Sequence, residues 1–167
     1  MPIKVNIRPV EKSDLKYLYR WNSQGFLGDW QGFTYHSVAR LERRFEAGEL
    51  NGDDLQMFIV EQKNARCGLC VIRFNSPHTA NVGVTLLPKK RGGGVCQEVL
   101  GIVMKYLFGN CLVERVEADT DEENKAGIRA LERFGFVREG VLRHYRFHHG
   151  AFHNSIMFSF LRSDWVS

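Results

Sequence analysis

Seven segments of the chain have the alternating or continuous apolar pattern of β-strands. They are residues 3–9, 55–61, 66–74, 79–87, 114–119, 136–147 and 152–161. The second and third segments meet at Lys63-Asn64 and the last two at His148-His149-Gly150, so both pairs are predicted to form hairpins. Pro88 ends the fourth strand, because proline has no N–H to donate to a sheet.

Four other segments have apolar residues at helical spacing. The first follows Ser13 or Asp14 as N-cap, and the second follows Ser37. The third follows the glycines at 92–94, and the fourth spans residues 124–134. The order of elements is strand, two helices, three strands, helix, strand, helix and two strands. This order predicts an α+β fold around a mixed, mostly antiparallel sheet.

Composition and charge narrow the classes of protein. Hydrophobic residues make up 44% and charged residues 25%, as in soluble globular proteins, and no linker or repeat divides residues 1–167, so one domain is expected. No segment has the 18 or more apolar residues of a membrane span, and no signal peptide is visible, so a cytoplasmic protein without membrane contact is expected. The net charge of +4 is not clustered, which argues against nucleic acid as a partner.

The four cysteines are too few for a disulfide scaffold. Cys67 and Cys70 are three apart on a predicted strand, so their side chains are expected on opposite faces of the sheet. Neither a second CxxC nor a spaced histidine pair completes a zinc set. No metal site is therefore expected.

The segment Leu86-Leu-Pro-Lys-Lys-Arg-Gly-Gly-Gly-Val-Cys96 joins a strand to a helix through basic residues and glycines. The first turn of a helix has unpaired N–H groups and a partial positive charge, which together bind phosphate. Glycines let a ligand approach the backbone closely. The segment therefore predicts a phosphate-binding turn, and a glycine-rich connector with solvated lysines is the alternative.

Two motifs carry a resemblance to a known family. Arg91-Gly-Gly-Gly-Val-Cys96 resembles the R/Q-x-x-G-x-G/A pyrophosphate loop of GNAT acyltransferases, and residues 124–136 resemble that superfamily's second signature, an Asn-led helix ending in Gly-Phe. Residues 138–143, the last hairpin and Ser163-Asp-Trp165 resemble the Rim-type branch, named for ribosomal-protein-alanine N-acetyltransferases. The resemblance implies a GNAT-type seven-stranded sheet flanked by about four helices.

The same resemblance implies an acetyl-CoA-dependent N-acetyltransferase that uses no metal. The acetyl group is expected to pass to a primary amine by direct attack in a ternary complex. The acceptor is expected to be a small amine, an amino acid, an antibiotic or a protein N-terminus. A homodimer is left open, because no residue pattern indicates an oligomeric state. A catalytically silent acyl-CoA-binding or sensor module is the alternative.

The resemblance also assigns coenzyme-binding roles. Backbone amides of the glycine turn are expected to hold the pyrophosphate, and the end of the preceding strand to pair with the pantetheine arm. Asn124 is expected to hydrogen-bond the pantetheine, and from the residues alone it is equally well a helix N-cap. The whole set is Leu86, Leu87, Arg91, Gly92, Gly93, Gly94, Val95, Cys96 and Asn124.

Three residues depart from the family pattern. Asn81 stands where many Rim-like enzymes have Glu, Gly127 where a Ser is often found near the leaving sulfur, and Leu131 where other branches have Tyr. The usual acid and base candidates are therefore absent. This absence is what favours the silent module as the alternative.

Other residues are substitute candidates. Tyr145 is the candidate acid, with packing on its strand as the alternative, and Glu117 is the candidate base. Asp119 is a further candidate base, and both carboxylates have salt bridges to arginines as the alternative. His144 and His148, four apart on one strand, are expected to share an exposed face and are weaker candidates for a base or a metal ligand.

The aromatic segment 26–35 is expected to line the acceptor site. Asp29 suits a cationic amine by charge, Trp30 does so by cation–π contact, and Tyr35 is the third candidate. The alternative is a loop that is held to the core by its aromatic residues.

Overall fold

The computed structural model describes residues 4–22, 26, 28–30 and 35–165. Within these ranges the strands are β1 Val5–Pro9, β2 Leu55–Gln62, β3 Ala65–Ser76, β4 Thr79–Leu86, β5 Arg115–Asp121, β6 Val137–His148 and β7 Ala151–Leu161. The α-helices of the same ranges are α1 Leu15–Trp21, α2 Val38–Glu46, α3 Val95–Asn110 and α4 Lys125–Phe134. Short 3-10 helices are formed by Lys12–Asp14, Pro88–Lys90 and Arg162–Asp164.

The seven described strands form one sheet in the order β1-β2-β3-β4-β5-β7-β6. Neighbouring strands are antiparallel except β4 and β5, which are parallel. The predicted α+β fold and its mixed, mostly antiparallel sheet are confirmed. Residue 3, the predicted start of the first strand, lies outside the described residues.

Local sequence signals determine several boundaries. The Ser37 hydroxyl accepts a hydrogen bond from the Arg40 amide at 3.1 Å, as an N-cap does. The β2–β3 turn has positive φ at Lys63 (52°) and Asn64 (62°), which fits a two-residue type I′ hairpin. The β6–β7 hairpin turns at His149 and Gly150 alone, because His148, predicted in the turn, is the last residue of β6.

The sheet has a hydrophobic core on each face. Side chains of α3 and α4 pack on one face, and side chains of α1 and α2 pack on the other. Val60 and Ile59, adjacent on β2, are fully buried in different cores, as the alternation of side chains along a strand requires. Among helices formed by described residues, none is long and apolar enough to serve as a membrane span.

The expectation that Cys67 and Cys70 lie on opposite faces is wrong. Both thiols are fully buried in the core beneath α3 and α4. Val60 pairs with Gly68 and Glu61 with Arg66, so Cys67 is the extra residue of a β-bulge and the alternation shifts by one at that point. The Cys67 thiol lies 3.4 Å from the Val60 carbonyl oxygen, and burial raises the pKa of Cys70 to about 12, so both are core thiols.

Asp14, one of the two residues predicted as N-cap, occupies the N-cap position of α1, but its side chain makes no capping hydrogen bond to that helix. Its carboxylate is completely buried and accepts hydrogen bonds from Arg8 (2.6 and 3.0 Å), from Arg66 (2.7 Å) and from the Glu11 amide (3.0 Å). Burial alone would raise the pKa of Asp14, but these donors outweigh it and hold the pKa well below its usual range. The carboxylate therefore joins β1, β3 and the start of α1.

Candidate active site

The parallel pair β4–β5 opens into a gap. The two strands pair only through Thr79–Asn81 and Arg115–Glu117, although each strand continues further. From Val82 onward, β4 has no ladder partner in β5. A strand edge of this kind can accept an extended ligand in place of a neighbouring strand.

A cleft occupies this gap between β4 and β5. It consists of a cavity of about 500 Å³ and an adjoining cavity of about 260 Å³, which share lining residues such as Trp30, Cys96 and Gly127. Leu86, Arg91 and Gly92 line the smaller cavity only, and they define the glycine end of the cleft. Arg73, Asn81, Asp119 and Arg146 line the larger cavity only, and they define its inner end.

The glycine end presents a row of unpaired backbone donors. The amides of residues 92–96 make no hydrogen bond with any described residue, whereas the Arg91 amide donates to the Pro88 carbonyl at 3.3 Å. Gly92 and Gly94 both have φ of 79°, a conformation that disfavours residues with a Cβ atom. Gly94 is the N-cap of α3 and provides no side-chain cap, so the helix terminus is left open to an anion.

The Arg91 side chain folds back across the end of β4. Its Nε donates to the Leu86 carbonyl at 3.0 Å, and its guanidinium lies 3.2 Å from where a Cβ at Gly28 would be. The guanidinium thus sits between the β4 terminus and the Gly28 segment, with its charge at the glycine end. Three other residues of the predicted coenzyme site, Gly93, Gly94 and Val95, are not among the residues that line the cleft. Leu87 packs in the hydrophobic core beneath α1 and α2.

Asn124 connects β5 to α4 at the middle of the cleft. Its Oδ1 accepts from the Gly127 amide at 3.0 Å as the N-cap of α4, and its Nδ2 donates to Thr120 Oγ1 at 2.9 Å. A Cβ at Gly127 would lie 2.5 Å from Asn124 Nδ2 and 2.9 Å from Thr120 Oγ1. Glycine at 127 therefore makes room for the Asn124–Thr120 hydrogen bond, and a serine at this position would collide with both side chains.

A charged network borders the inner end. Arg146 Nη2 donates to Asp119 Oδ2 at 2.6 Å, and Arg146 Nε donates to Ser155 Oγ at 3.0 Å. Ser155 Oγ lies 2.8 Å from the same carboxylate oxygen, and Arg146 Nη1 lies 3.5 Å from the Trp30 carbonyl oxygen. Asp119 is therefore paired within the protein, as the salt-bridge alternative anticipated.

Cys96 lines both cavities from the first turn of α3. Burial raises the pKa of its thiol to about 11, so the thiol is protonated at neutral pH. A protonated thiol is a poor nucleophile, and the contribution of Cys96 to the cleft wall is its size and polarity.

The structure places the predicted acid and base outside the cleft. Tyr145 lies on the edge strand β6 with 59% of its surface exposed. Glu117 accepts a hydrogen bond from Arg115 Nε at 2.8 Å. Neither residue is among those that line the cleft.

The predicted acceptor residues are separated from one another. Trp30 lines both cavities, and Asp29 is exposed, with its backbone carbonyl 3.0 Å from His149 Nε2. Tyr35 is 90% exposed and does not line the cleft. Residues 27 and 31–34 of the predicted acceptor segment lie outside the described residues.

His144 and His148 do not share a face, contrary to expectation. A bulge between Leu142 and Arg146 and a φ of 51° at His144 break the alternation of β6. His148 is buried, its Nε2 lies 2.7 Å from Asp121 Oδ2, and its ring stacks on that of His153 at 3.8 Å. Because the stacked rings are almost parallel (10°), their in-plane lone pairs do not converge on one ion, although Asp121, His148 and His153 are close together.

Asn81, Gly127 and Leu131, the three departures from the family pattern, all line the cleft. Sequence reasoning missed Arg73 and Arg146, which border the inner end from β3 and β6. No local motif marks either residue, because their neighbours in the cleft come from strands distant in sequence.

Comparison with known proteins identifies the family. The family model described as the acetyltransferase (GNAT) domain matches residues 4–137, and the chain belongs to this family. This confirms the predicted superfamily and the prediction of an N-acetyltransferase that uses acetyl-CoA as cosubstrate. The match includes the glycine turn and the Asn124 helix.

The chain is similar to acetyltransferases over nearly its full length, at low sequence identity. The spermidine N(1)-acetyltransferase of Escherichia coli K12 is 24% identical over 98% of this chain and 89% of its own length. The putative ribosomal N-acetyltransferase YdaF of Bacillus subtilis is 22% identical over 96% of this chain and 93% of its own length. The crystal structure of Vibrio cholerae spermidine N-acetyltransferase with CoA and spermine is 20% identical, covers 96% of both chains and has a TM-score of 0.87, which supports the fold.

Proposed function

We propose that residues 1–167 act as a single domain that transfers the acetyl group of acetyl-CoA to a primary amine by direct attack in a ternary complex. One observation carries the proposal: within the described part of the chain the amides of residues 92–96 make no hydrogen bond, and Gly92 and Cys96, at the two ends of this turn, line a cleft that continues along the part of β4 that β5 does not pair. The amides and Arg91 bind the pyrophosphate, and β4 pairs with the pantetheine arm. Asn124 faces the same arm from the opposite wall.

The reaction follows from this placement. The neutral amine nitrogen attacks the thioester carbonyl carbon, a C–N bond forms, and the C–S bond breaks as the thiolate takes a proton from solvent. A backbone N–H at the β4 edge stabilises the developing oxyanion. The raised pKa of Cys96 argues against an acetyl-cysteine intermediate, which supports direct attack.

The acceptor amine must reach the carbonyl in its neutral form. An α-amine has a pKa of about 7.7–8.0, and water can accept its proton near neutral pH without a dedicated base. Proton transfer to water fits a cleft that neither Tyr145 nor Glu117 lines. Neither residue has a catalytic role in the proposed mechanism. The names of the relatives, a spermidine N(1)-acetyltransferase and a putative ribosomal N-acetyltransferase, support an amine as acceptor.

A second candidate function is a silent acyl-CoA-binding module. The observation that favours it is the lining of the cleft by Asn81, Gly127 and Leu131 at the positions of the usual acid and base. Incubation with acetyl-CoA and a panel of amino acids, polyamines, peptides and aminoglycosides, with detection of released thiol, separates the two. Saturable thiol release that depends on the amine supports the enzyme, and tight acetyl-CoA binding without such release supports the silent module.

Gly92→Ala tests the coenzyme site under either function. A Cβ at Gly92 would meet no atom within 4 Å, so the change acts through the backbone conformation at φ 79°, which costs roughly 1–2 kcal/mol for alanine. We expect the acetyl-CoA dissociation constant, measured by calorimetry, to rise about 10-fold. The control is Gly109→Ala, which places the same methyl group in open space at the far end of α3, and equal affinity of the two variants would contradict the site.

A further inference from the structure

The side chains at the inner end of the cleft carry an unbalanced positive charge. Arg73 of β3 and Arg146 of β6 line it. Among the described residues that line the cleft, the acidic side chain is that of Asp119. Arg146 and Asp119 form a salt bridge at 2.6 Å and compensate each other. Arg73 is exposed and makes no ion pair with a described residue, so its charge remains unbalanced.

The residues between 22 and 35 that lie outside the described ranges have no negative charge to offer. Residues 23–25, 27 and 31–34, which complete the segment around Trp30, are Ser-Gln-Gly, Leu and Gln-Gly-Phe-Thr, and none has an ionisable side chain. The Asp29 carboxylate belongs to an exposed residue that does not line the cleft. Neither these side chains nor Asp29 can therefore offset the charge of Arg73 within the cleft.

Arg73 is too distant to serve the coenzyme phosphates. It pairs in register with Asn81, and Asn81 is five residues from Leu86, where the glycine end begins, which corresponds to about 17 Å along the strand. The pantetheine arm between the two ends carries no charge. The alternation along β3 also places Arg73 on the same face as Val71 and Leu69, opposite the face that α3 covers. Arg73 therefore lies on the face of the sheet opposite α3, the helix whose first turn forms the proposed pyrophosphate site.

On the basis of the proposed function, we infer that the acceptor is a small amine that also carries a carboxylate, such as an α-amino acid, and that Arg73 binds this carboxylate. A guanidinium binds a carboxylate through two parallel hydrogen bonds. A polyamine would instead bring further positive charges beside Arg73, without a carboxylate for the guanidinium to bind, and like charges a few ångströms apart repel each other. The chain thus differs in acceptor class from the relatives named for spermidine.

The test compares matched acceptors. Thiol release with acetyl-CoA is measured for the common amino acids, for their carboxamides, which keep the amine and lose the negative charge, and for spermidine and 1,4-diaminobutane. We expect the highest kcat/KM for an amino acid, with its carboxamide at least 10-fold lower. A spermidine kcat/KM above that of every amino acid overturns the inference and leaves the acetyltransferase proposal intact.

Variants connect the preference to Arg73. Arg73→Gln is expected to raise KM for the preferred amino acid about 10-fold, with little change for its carboxamide. Only the amino acid has a carboxylate that the Arg73 guanidinium can bind. Arg143→Gln, an exposed arginine on β6 outside the cleft, is the control and is expected to keep both values. Equal KM values for the two variants overturn the role of Arg73.

A binding measurement keeps this inference separate from turnover. If no amine releases thiol, the proposed enzyme activity fails, and calorimetry with CoA-saturated protein then decides the inference alone. Amino acid binding that is about 10-fold weaker in Arg73→Gln than in Arg143→Gln supports it. Absent or equal binding overturns it.

Discussion

Asp14→Asn is expected to lower the free energy of unfolding by about 3 kcal/mol, because removing one partner of a buried ion pair leaves the other charges uncompensated. The carboxylate is fully buried between Arg8 and Arg66, at 2.6 and 2.7 Å, and it joins two strands to the start of α1. An asparagine fills the same volume, so the loss reports charge and not a cavity. Urea denaturation of both proteins measures the difference.

The pH dependence provides a second readout of the same carboxylate. The pKa of Asp14 is held below its unfolded value of about 3.9, so its contribution to stability is complete above that pH and is lost as the pH falls toward the folded pKa. Wild type should therefore lose stability more steeply than Asp14→Asn below about pH 4. The control is Glu46→Gln, which removes an exposed pair with Lys12 at 3.5 Å and should cost less than about 0.5 kcal/mol. A similar decrease in the free energy of unfolding in both variants would show that the buried ion pair contributes no more to stability than the exposed one.

The order of elements could be predicted because the sequence marks it locally. Each of these signals involves residues at most four positions apart in the sequence. Examples are the N-cap at Ser37, the Lys63-Asn64 turn and the left-handed Gly135 at the end of α4. Errors occurred where a distant residue outweighed the local pattern. Asp14 bonds Arg66, 52 positions away, in preference to capping its own helix, and the bulge at Cys67 reverses the face of one thiol.

The candidate site likewise has one part that could be predicted from local sequence and one part that could not. The glycine end could be predicted, because unpaired amides follow directly from a strand, three glycines and a helix start. The inner end could not, because the Arg146–Asp119 pair joins residues 27 positions apart and Arg73 enters from β3. Tyr145 and Glu117 had suitable chemistry and strand positions, yet strand position alone does not reveal which residues line a gap within the sheet.

The Gly127–Asn124 pair links the packing of α4 to the proposed coenzyme site. In a helix, Gly→Ala normally stabilises by about 1 kcal/mol. At Gly127 the added Cβ would lie 2.5 Å from Asn124 Nδ2, which is a severe overlap, so the Asn124 side chain must move. That movement breaks the N-cap of α4 and the bond to Thr120, and it displaces the amide within the cleft.

Gly127→Ala is therefore expected to lower the free energy of unfolding by about 2 kcal/mol, through overpacking and loss of the cap. The acetyl-CoA dissociation constant should rise about 30-fold if the pantetheine arm passes this wall of the cleft, as we propose. Gly101→Ala is the matched control, because the same change in α3 meets no atom within 4 Å and should stabilise the protein by up to about 1 kcal/mol without altering acetyl-CoA binding. If Gly127→Ala is as stable as Gly101→Ala and binds acetyl-CoA equally well, Asn124 does not hold the cleft wall in place. If only its stability falls, Asn124 is a helix cap and has no part in coenzyme binding.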